Sequence, residues 1–530
     1  MMMCSTDRLE TYPMNGAQSL IRTLVGGGVD LCFANPGTSE MHFVASLDAV
    51  PEMRAVLALF EGVVTGAADG YGRMADRPAA TLLHLGPGMA NGLANLHNAR
   101  RAHTPIVNVI GDHALYHKGF DAPLESDIES LTGWLHGWSR TSTDPASVGR
   151  DAAEAIAAAC TPPGQIANLV VPADVSWGDG GVVTAPIEPP APTVVEDARI
   201  AAIAAVLTSG EPTVLLLGHG ATRERGLVAA SRIAEATGVK LLVETFPARL
   251  ERGAGLPNIE RLGYLAEQAQ WQLSGMRNLV LVGAMAPVSF FAYPGKASVL
   301  APTGCQVHAL ADLGDDVTTA LEQLADRVAV HAKPRLQPVV RPAAPAGMLT
   351  TQNWAEVIGA LLPDGAIIAD EANTSGLTIP MTTAGAPRHD VLTLTGGAIG
   401  QGLPVAIGAA VACPNRPVVC LQSDGSAMYT ISALWTMARE GLNVTTVVLS
   451  NRSYAILRLE LQRVGTAGAG PKALELLDLS NPDMNFVAMA RGMGVPASTA
   501  RTSEELAEQF SKALKEPGPH LIEALVPSAG

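Results

Sequence analysis

The stretch RPVVCLQSDGS, residues 416–426, decides how the rest of the chain is read. Val418, Val419, Cys420 and Leu421 are apolar without alternation, the pattern of a strand buried on both faces of a parallel sheet. A bare carboxylate, Asp424, follows at once between Ser423 and Gly425, and AMYTISALWTMAREG reads as the next helix. A second apolar strand, NVTTVVLS, then ends at Asn451. If the two strands are neighbours, Asp424 and Asn451 leave the sheet at the same edge. Two hard oxygen ligands beside a backbone carbonyl suit Mg²⁺, which takes few protein groups and completes its octahedron from phosphates. Free N–H groups at the helix start near Gly425 and Ser426 suit an anion. The unit therefore reads as a grip for Mg²⁺ and a diphosphate. Taken singly, Asp424 also fits a helix N-cap and Asn451 a turn residue; the pair across one crossover is what points to a metal.

The same strand–helix grammar runs through the whole chain. Two Pro-rich stretches without period, APIEPPAPT (185–193) and AKPRLQPVVRPAAPAG (332–347), read as linkers. They leave three blocks, 12–184, 194–332 and 348–530, each of ordinary domain size. VDLCFANPG and TPIVNVIGD in the first, PTVLLLGHG and RNLVLVGAM in the second, and GAIIADE and NVTTVVLSN in the third all end apolar strands in turns. The expected fold is α/β, with three doubly wound parallel-sheet domains. Ligands of such sheets sit at the carboxyl ends of the strands, so the informative residues should follow each strand.

Composition narrows the partners. The net charge of −15 argues against a nucleic-acid partner, which calls for a basic face. Cys4, Cys32, Cys160, Cys305, Cys413 and Cys420 are scattered without a CxxC pair, and read as buried free thiols in a reducing compartment. MMMCSTDRLETYP has charged residues and no apolar centre, so it does not read as a secretory signal. No uncharged apolar run reaches the length of a membrane span. The expectation is a soluble, cytoplasmic protein.

The run SDGSAMYTISALWTMAREG followed by VVLSNRSYAILR resembles the cofactor motif of the thiamin-diphosphate-dependent acetolactate synthase and benzoylformate decarboxylase family. That motif reads Gly-Asp-Gly, just under thirty residues, then Asn. The resemblance implies that Asp424 and Asn451 are side-chain ligands of Mg²⁺ and that the Ser453 main-chain carbonyl is a third. Gly425, Ser426 and Tyr454 would lie along the diphosphate. Ser423, Ser450 and Arg452 depart from the family's pattern, and none of the three removes a ligand.

Thiamin chemistry also needs a carboxyl to activate the aminopyrimidine. ALFEGVVTGAADGYGRM (58–74) supplies Glu61, in an apolar helix of small residues that matches the family's Glu. The other wall is TLTGGAIGQGLPVAIGAA (393–410), whose glycines let the backbone approach a ligand. By resemblance, the Gly397 carbonyl receives the pyrimidine amino group and Ile399 forces the cofactor into its bent form. Asn373 and Thr374, in DEANTSG (370–376), would add diphosphate contacts, whereas Gly408 reads as helix packing. In the family, the halves that carry Glu61 and Asp424 come from different subunits. The implied assembly is a homodimer with active sites at its interface, paired into a tetramer. The three blocks become, in order, pyrimidine-binding, central and diphosphate-binding domains.

The substrate side is mixed. Thr38, in FANPGTSE (33–40), matches a Ser of benzoylformate decarboxylase, and His84, in LLHLGPGMANGLAN (82–95), matches a catalytic His of the decarboxylases. The adjoining GPG resembles acetolactate synthase instead. His113, in GDHALYHKG (111–119), also faces the expected pocket. Acetolactate synthases carry Phe-Gln-Glu where this chain has Pro123-Leu124-Glu125, and an Arg-Phe-Asp-Asp-Arg segment near FAD where this chain has GAMAPVSFFAYPGKAS. That difference puts FAD in doubt. The implied activity is decarboxylation of a small-molecule 2-oxo acid, followed by release of an aldehyde or by ligation to a second carbonyl. Two rivals are weaker: a non-catalytic paralogue, against which Glu61, Asp424 and Asn451 stand intact, and a nicotinamide or flavin enzyme, for which LLLGHGATRERG lacks the dinucleotide fingerprint.

Overall fold

The central strands of this chain are short, apolar and buried on both faces, and the computed structural model stacks the strands into three sheets. It describes residues 14–464 and 468–528. Cys4, the stretch read as lacking a secretory signal, and the start of the 12–184 block lie outside them.

The first block forms β1 (Leu31–Asn35), β2 (Arg54–Leu57), β3 (Ala79–Leu83), β4 (Ile106–Asp112), β5 (Ser139–Thr141) and β6 (Ile166–Pro172). They are parallel throughout, in the order β2-β1-β3-β4-β6-β5. The middle block supplies β7 (Thr213–Leu217), β8 (Lys240–Val243), β9 (Leu250–Arg252), β10 (Asn278–Val282) and β11 (Gln306–Ala311). Four of these make a parallel sheet, β11-β10-β7-β8. The third block forms β12 (Ala366–Glu371), β13 (His389–Thr393), β14 (Val418–Ser423), β15 (Val444–Ser450), β16 (Ala497–Ala500) and β17 (His520–Leu525), in the order β16-β17-β15-β14-β12-β13-β9.

Two features depart from the sequence reading. β9 belongs to the middle block by position but pairs antiparallel with β13, closing that edge of the third sheet. Leu250 is buried there, and Arg249 forms an ion pair with Asp390 of β13. The run after Asp424 is not one helix. A short helix, Asp424–Ala427, turns through 428–432 before Ala433–Arg439 resumes. Thr430 and Ile431, both β-branched, sit in that turn, and the Thr430 hydroxyl donates to the Gly400 carbonyl at 3.0 Å.

The first and third blocks share one apolar core, in which Val64, Ala67 and Tyr71 pack with Leu403, Val405 and Ile407. At its centre the Glu61–Ala75 helix crosses the Gly402–Ala412 helix backbone against backbone. A Cβ on Gly408 would lie 1.9 Å from the Ala67 carbonyl oxygen, and one on Gly70 would lie 2.2 Å from that of Val405. Beside this crossing, Arg73 and Asp69 form a buried ion pair. Arg73 also donates to the Thr393 carbonyl at 2.8 Å and to the Ala248 carbonyl at 3.3 Å, so one guanidinium touches all three blocks.

Candidate active site

Each sheet places its ligand-facing crevice where the strand order reverses. In the third sheet β12 has β13 on one side and β14 on the other, so the crevice opens between β12 and β14. The loops above it are the ones singled out from sequence. Asn373, in the left-handed region at φ 49°, donates to Ser426 Oγ at 2.9 Å and to Ser423 Oγ at 3.3 Å. Ser423, which stands where the family has Gly, donates in turn to the Glu371 carbonyl at 3.2 Å. Its hydroxyl therefore ties the two strand ends together.

β14 and β15 are neighbours, with Ser423 opposite Leu449, so Asp424 and Asn451 emerge side by side. Asp424 is 1% exposed; its Oδ2 accepts from the Arg452 N–H at 2.6 Å and its Oδ1 from the Gly425 N–H at 2.8 Å. Asn451 Oδ1 accepts from the Ser453 N–H at 2.9 Å. Burial pushes the Asp424 carboxyl above the usual carboxylate range, against the pull of these N–H groups. Among the described residues no lysine or arginine side chain pairs with it, since Arg452 turns its guanidinium towards Asp483. A buried carboxylate, an amide oxygen and backbone carbonyls, without a protein counter-charge, form a donor set that fits a hard divalent cation. Tyr454 lies across Gly425, where a Cβ would meet its ring at 2.5 Å. Thr374 is half-buried beside Asn373.

The Gly-rich wall is held by a residue that sequence reading passed over. Glu371, at the end of β12, is buried and accepts from the Gly400 N–H at 2.7 Å, the Gly402 N–H at 2.6 Å and Gln422 Nε2 at 2.7 Å. Burial raises its pKa, and these donors oppose the rise. Gly397 is exposed at φ +75°, and Ile399 is half-buried. On its other side this loop meets the first block: Asn98 Nδ2 donates to the Ala398 carbonyl at 2.8 Å, and Asn95 Nδ2 to that of Gly400 at 3.2 Å.

In the first sheet the order reverses between β1 and β3. Thr38 is exposed just after β1, and His84 follows β3. Leu85 then turns through the left-handed region at φ 51°, a strained conformation for a branched residue. Glu61, 7% exposed, begins the Glu61–Ala75 helix and accepts from Asn91 Nδ2 at 3.0 Å. His113 follows β4, and its buried Nε2 has no hydrogen-bond partner. Glu40, Asn91, Asp112 and Lys118 complete this group. Asp112 ends β4, and the others lie after strands β1 and β4 or on the helix that follows β3, the same positional signal that picked out His84. Among the described residues no hydrogen bond or ion pair joins Glu61, His84 or His113 to Asp424 or Asn451.

The middle sheet reverses between β7 and β10, beside a cavity of about 560 Å³ walled by Phe246, Tyr264 and Phe290. Glu244, after β8, lines it; burial pushes this carboxyl up to about 7, opposed only by the His219 N–H.

Three crevices of this kind, with an Asp–Asn pair in one and a helix-borne Glu in another, define a cofactor-dependent α/β enzyme. Residues 14–139 match the N-terminal, and residues 376–524 the C-terminal, TPP binding domain of the thiamine pyrophosphate enzymes. The chain belongs to the thiamine pyrophosphate enzyme family. It is 60% identical to the "Putative acetolactate synthase large subunit IlvX" of Mycobacterium tuberculosis (strain ATCC 25618 / H37Rv), over 97% of this chain and 99% of that one. It is 31% identical to benzoylformate decarboxylase of Pseudomonas aeruginosa, over 94% of this chain and 96% of that one. Among solved structures, the thiamine diphosphate-dependent 4-hydroxybenzoylformate decarboxylase of Rhodococcus jostii RHA1 superposes with a TM-score of 0.85 at 25% identity, covering 97% of this chain and all of that one.

Proposed function

We propose that this protein decarboxylates a 2-oxo acid using thiamin diphosphate and Mg²⁺, and releases the corresponding aldehyde. Asp424, Asn451 and the Ser453 carbonyl would hold the metal, with Gly425, Ser426, Tyr454, Asn373 and Thr374 along the diphosphate. Gly397 and Ile399 would seat the pyrimidine and thiazolium rings. When bound, the cofactor supplies the electron sink for loss of CO₂. Glu61 would share its proton with the aminopyrimidine ring nitrogen. His84 would move a proton at Nε2 where the carboxylate has left, with Thr38 and His113 lining the same space.

The observation that carries this reading is a histidine at the β3 end, ring-bonded to a buried carboxylate, in a chain with the Asp424–Asn451 pair intact. It favours protonation and release over ligation. Ligation of two pyruvates is the second reading, favoured by the 60% identity to a protein named for acetolactate synthesis. As in the family that the chain resembles, each site would form between two copies of the chain, the Glu61 group from one and the Asp424 group from the other, in a dimer paired into a tetramer. The described cysteines are free, which fits a cytoplasmic location, but only Cys32 and Cys420 are buried as expected; Cys160, Cys305 and Cys413 lie partly exposed. No described helix is long and apolar enough to cross a membrane.

The test is a panel of 2-oxo acids, including benzoylformate and pyruvate, assayed for CO₂ with thiamin diphosphate and Mg²⁺. Aldehyde products support the first reading and acyloins or acetolactate the second. No CO₂ from any acid overturns both.

A further inference from the structure

The buried carboxylate bonded to the His84 ring is Glu40, only 3% exposed. Its Oε2 stands 2.7 Å from the Gly37 N–H and 2.8 Å from His84 Nδ1. The first contact makes Oε2 an acceptor. Hydrogen on Nδ1 then satisfies the contact to the ring, and in that tautomer Nε2 is left free to point away from the carboxylate. The arrangement is packed from both sides. A Cβ on Gly37 would lie 2.3 Å from the His84 ring, and one on Gly111 would lie 1.6 Å from Glu40 Oε1. Both glycines are therefore what allow the carboxylate and the ring to meet. The other oxygen, Oε1, is buried with no hydrogen-bond partner, so the carboxyl has been desolvated to reach this place. That burial raises its pKa, against the pull of Gly37 and His84.

We infer that Glu40 is the positioning residue for His84: it fixes the ring's orientation and keeps hydrogen on Nδ1, so that Nε2 alone exchanges a proton with the substrate. The inference rests on the reading above, in which His84 acts at the reacting carbon. In the step, the Nε2–H bond breaks as a C–H bond forms where CO₂ has left. The Nδ1–H bond to Glu40 stays in place, and water returns the proton to Nε2. A ring turned about its own axis would aim Nδ1, or a carbon, at that position instead. Orientation of this kind is what an orienting carboxylate contributes to a catalytic histidine.

The experiment measures kcat and KM for Glu40→Ala, Glu40→Gln, His84→Ala and the Glu40→Ala/His84→Ala double variant, in the full chain loaded with thiamin diphosphate and Mg²⁺, on whichever 2-oxo acid the panel identifies. Glu40→Ala is expected to lower kcat on the order of 10²-fold with KM nearly unchanged. Glu40→Gln keeps an oxygen for Gly37 and Nδ1, and should recover to within about tenfold of the parent enzyme. The double variant should be no slower than His84→Ala, because Glu40 then has nothing to position. Three results overturn the inference: Glu40→Ala at parental kcat while His84→Ala is impaired, losses that multiply in the double variant, or Glu40→Gln as slow as Glu40→Ala. If His84→Ala itself turns over at the parental rate, the role given to His84 fails and this inference falls with it, a pattern distinct from the other three. Should Glu40→Ala fail to fold, Gly111→Ala displaces the same carboxylate while keeping both residues. It is expected to show the same fall in kcat, and parental kcat there overturns the inference.

Discussion

Asn373 Nδ2 reaches Ser426 Oγ at 2.9 Å across the mouth of the third sheet, so the loops after β12 and β14 are already joined where a diphosphate would lie. The same mouth carries Asp424, whose only partners among the described hydrogen bonds are backbone N–H groups. Replacing Asp424 by Ala should raise the Kd for thiamin diphosphate in the presence of Mg²⁺ by at least about 10–100-fold, the loss that follows even from removing groups that merely orient ligands. Fluorescence quenching titrations with and without Mg²⁺ measure it. The metal should sharpen binding by the parent protein and leave the variant's affinity unchanged.

Glu61 accepts from Asn91 through Oε2, and Gln can keep that contact. Glu61→Gln should therefore fold and bind cofactor normally while losing about 10²–10⁴-fold in kcat. Steady-state rates set beside a thermal melt separate the two effects. Full turnover in a well-folded variant would remove Glu61 from the chemistry.

A methyl group at Gly408 would overlap the Ala67 carbonyl, which is main chain and has no rotamer through which to yield. Gly408→Ala should destabilise the chain by about 1–3 kcal/mol, and Gly408→Val by more. Urea unfolding followed by circular dichroism gives the difference.

Glu244 predicts a pH dependence. Its folded-state value of about 7 lies above the ordinary value of 4.5, so the folded protein holds this proton more tightly than the unfolded chain. The stability it contributes is full below about pH 4.5 and is lost as pH rises through about 7, on the order of 1–3 kcal/mol in all. His219 and His389, lowered to about 4 by burial, act in the opposite sense, so the comparison must be made against the parent protein. Glu244→Gln should gain stability relative to the parent as pH rises from 5 to 8, read as the change in unfolding midpoint at each pH. A constant difference between the two proteins across that range would contradict the assignment.

Much of this architecture was legible because parallel sheets write themselves as uninterrupted apolar runs, and because their ligands gather at strand ends. VVCLQS and TTVVLS announced β14 and β15, and the residues just beyond them gave Asp424 and Asn451. What escaped notice was of three kinds. β9 is three residues long, too short to show a period, and its partner lies in another block. Glu371 and Glu40 carried the right position but no distinguishing spacing, and their importance comes from what they touch: Gly400 and Gly402 for one, His84 for the other. The break after Ala427 escaped for a third reason, since Thr430 forgoes helix to reach a carbonyl thirty positions earlier in the chain.

The crossing at Gly70 and Gly408 has a mechanical consequence. Two helices that touch through their main chains have no side-chain layer between them, and it is such layers that let packed elements slide by rotamer adjustment. The first and third blocks of one chain therefore behave as a single stiff frame. Any movement that admits a substrate or frees a product falls to what is mounted on that frame: the surface loop around Tyr116 and Phe120, and the helix Ala455–Arg463. Mutations that alter opening and closing should concentrate there, leaving the frame to hold its geometry from one turnover to the next.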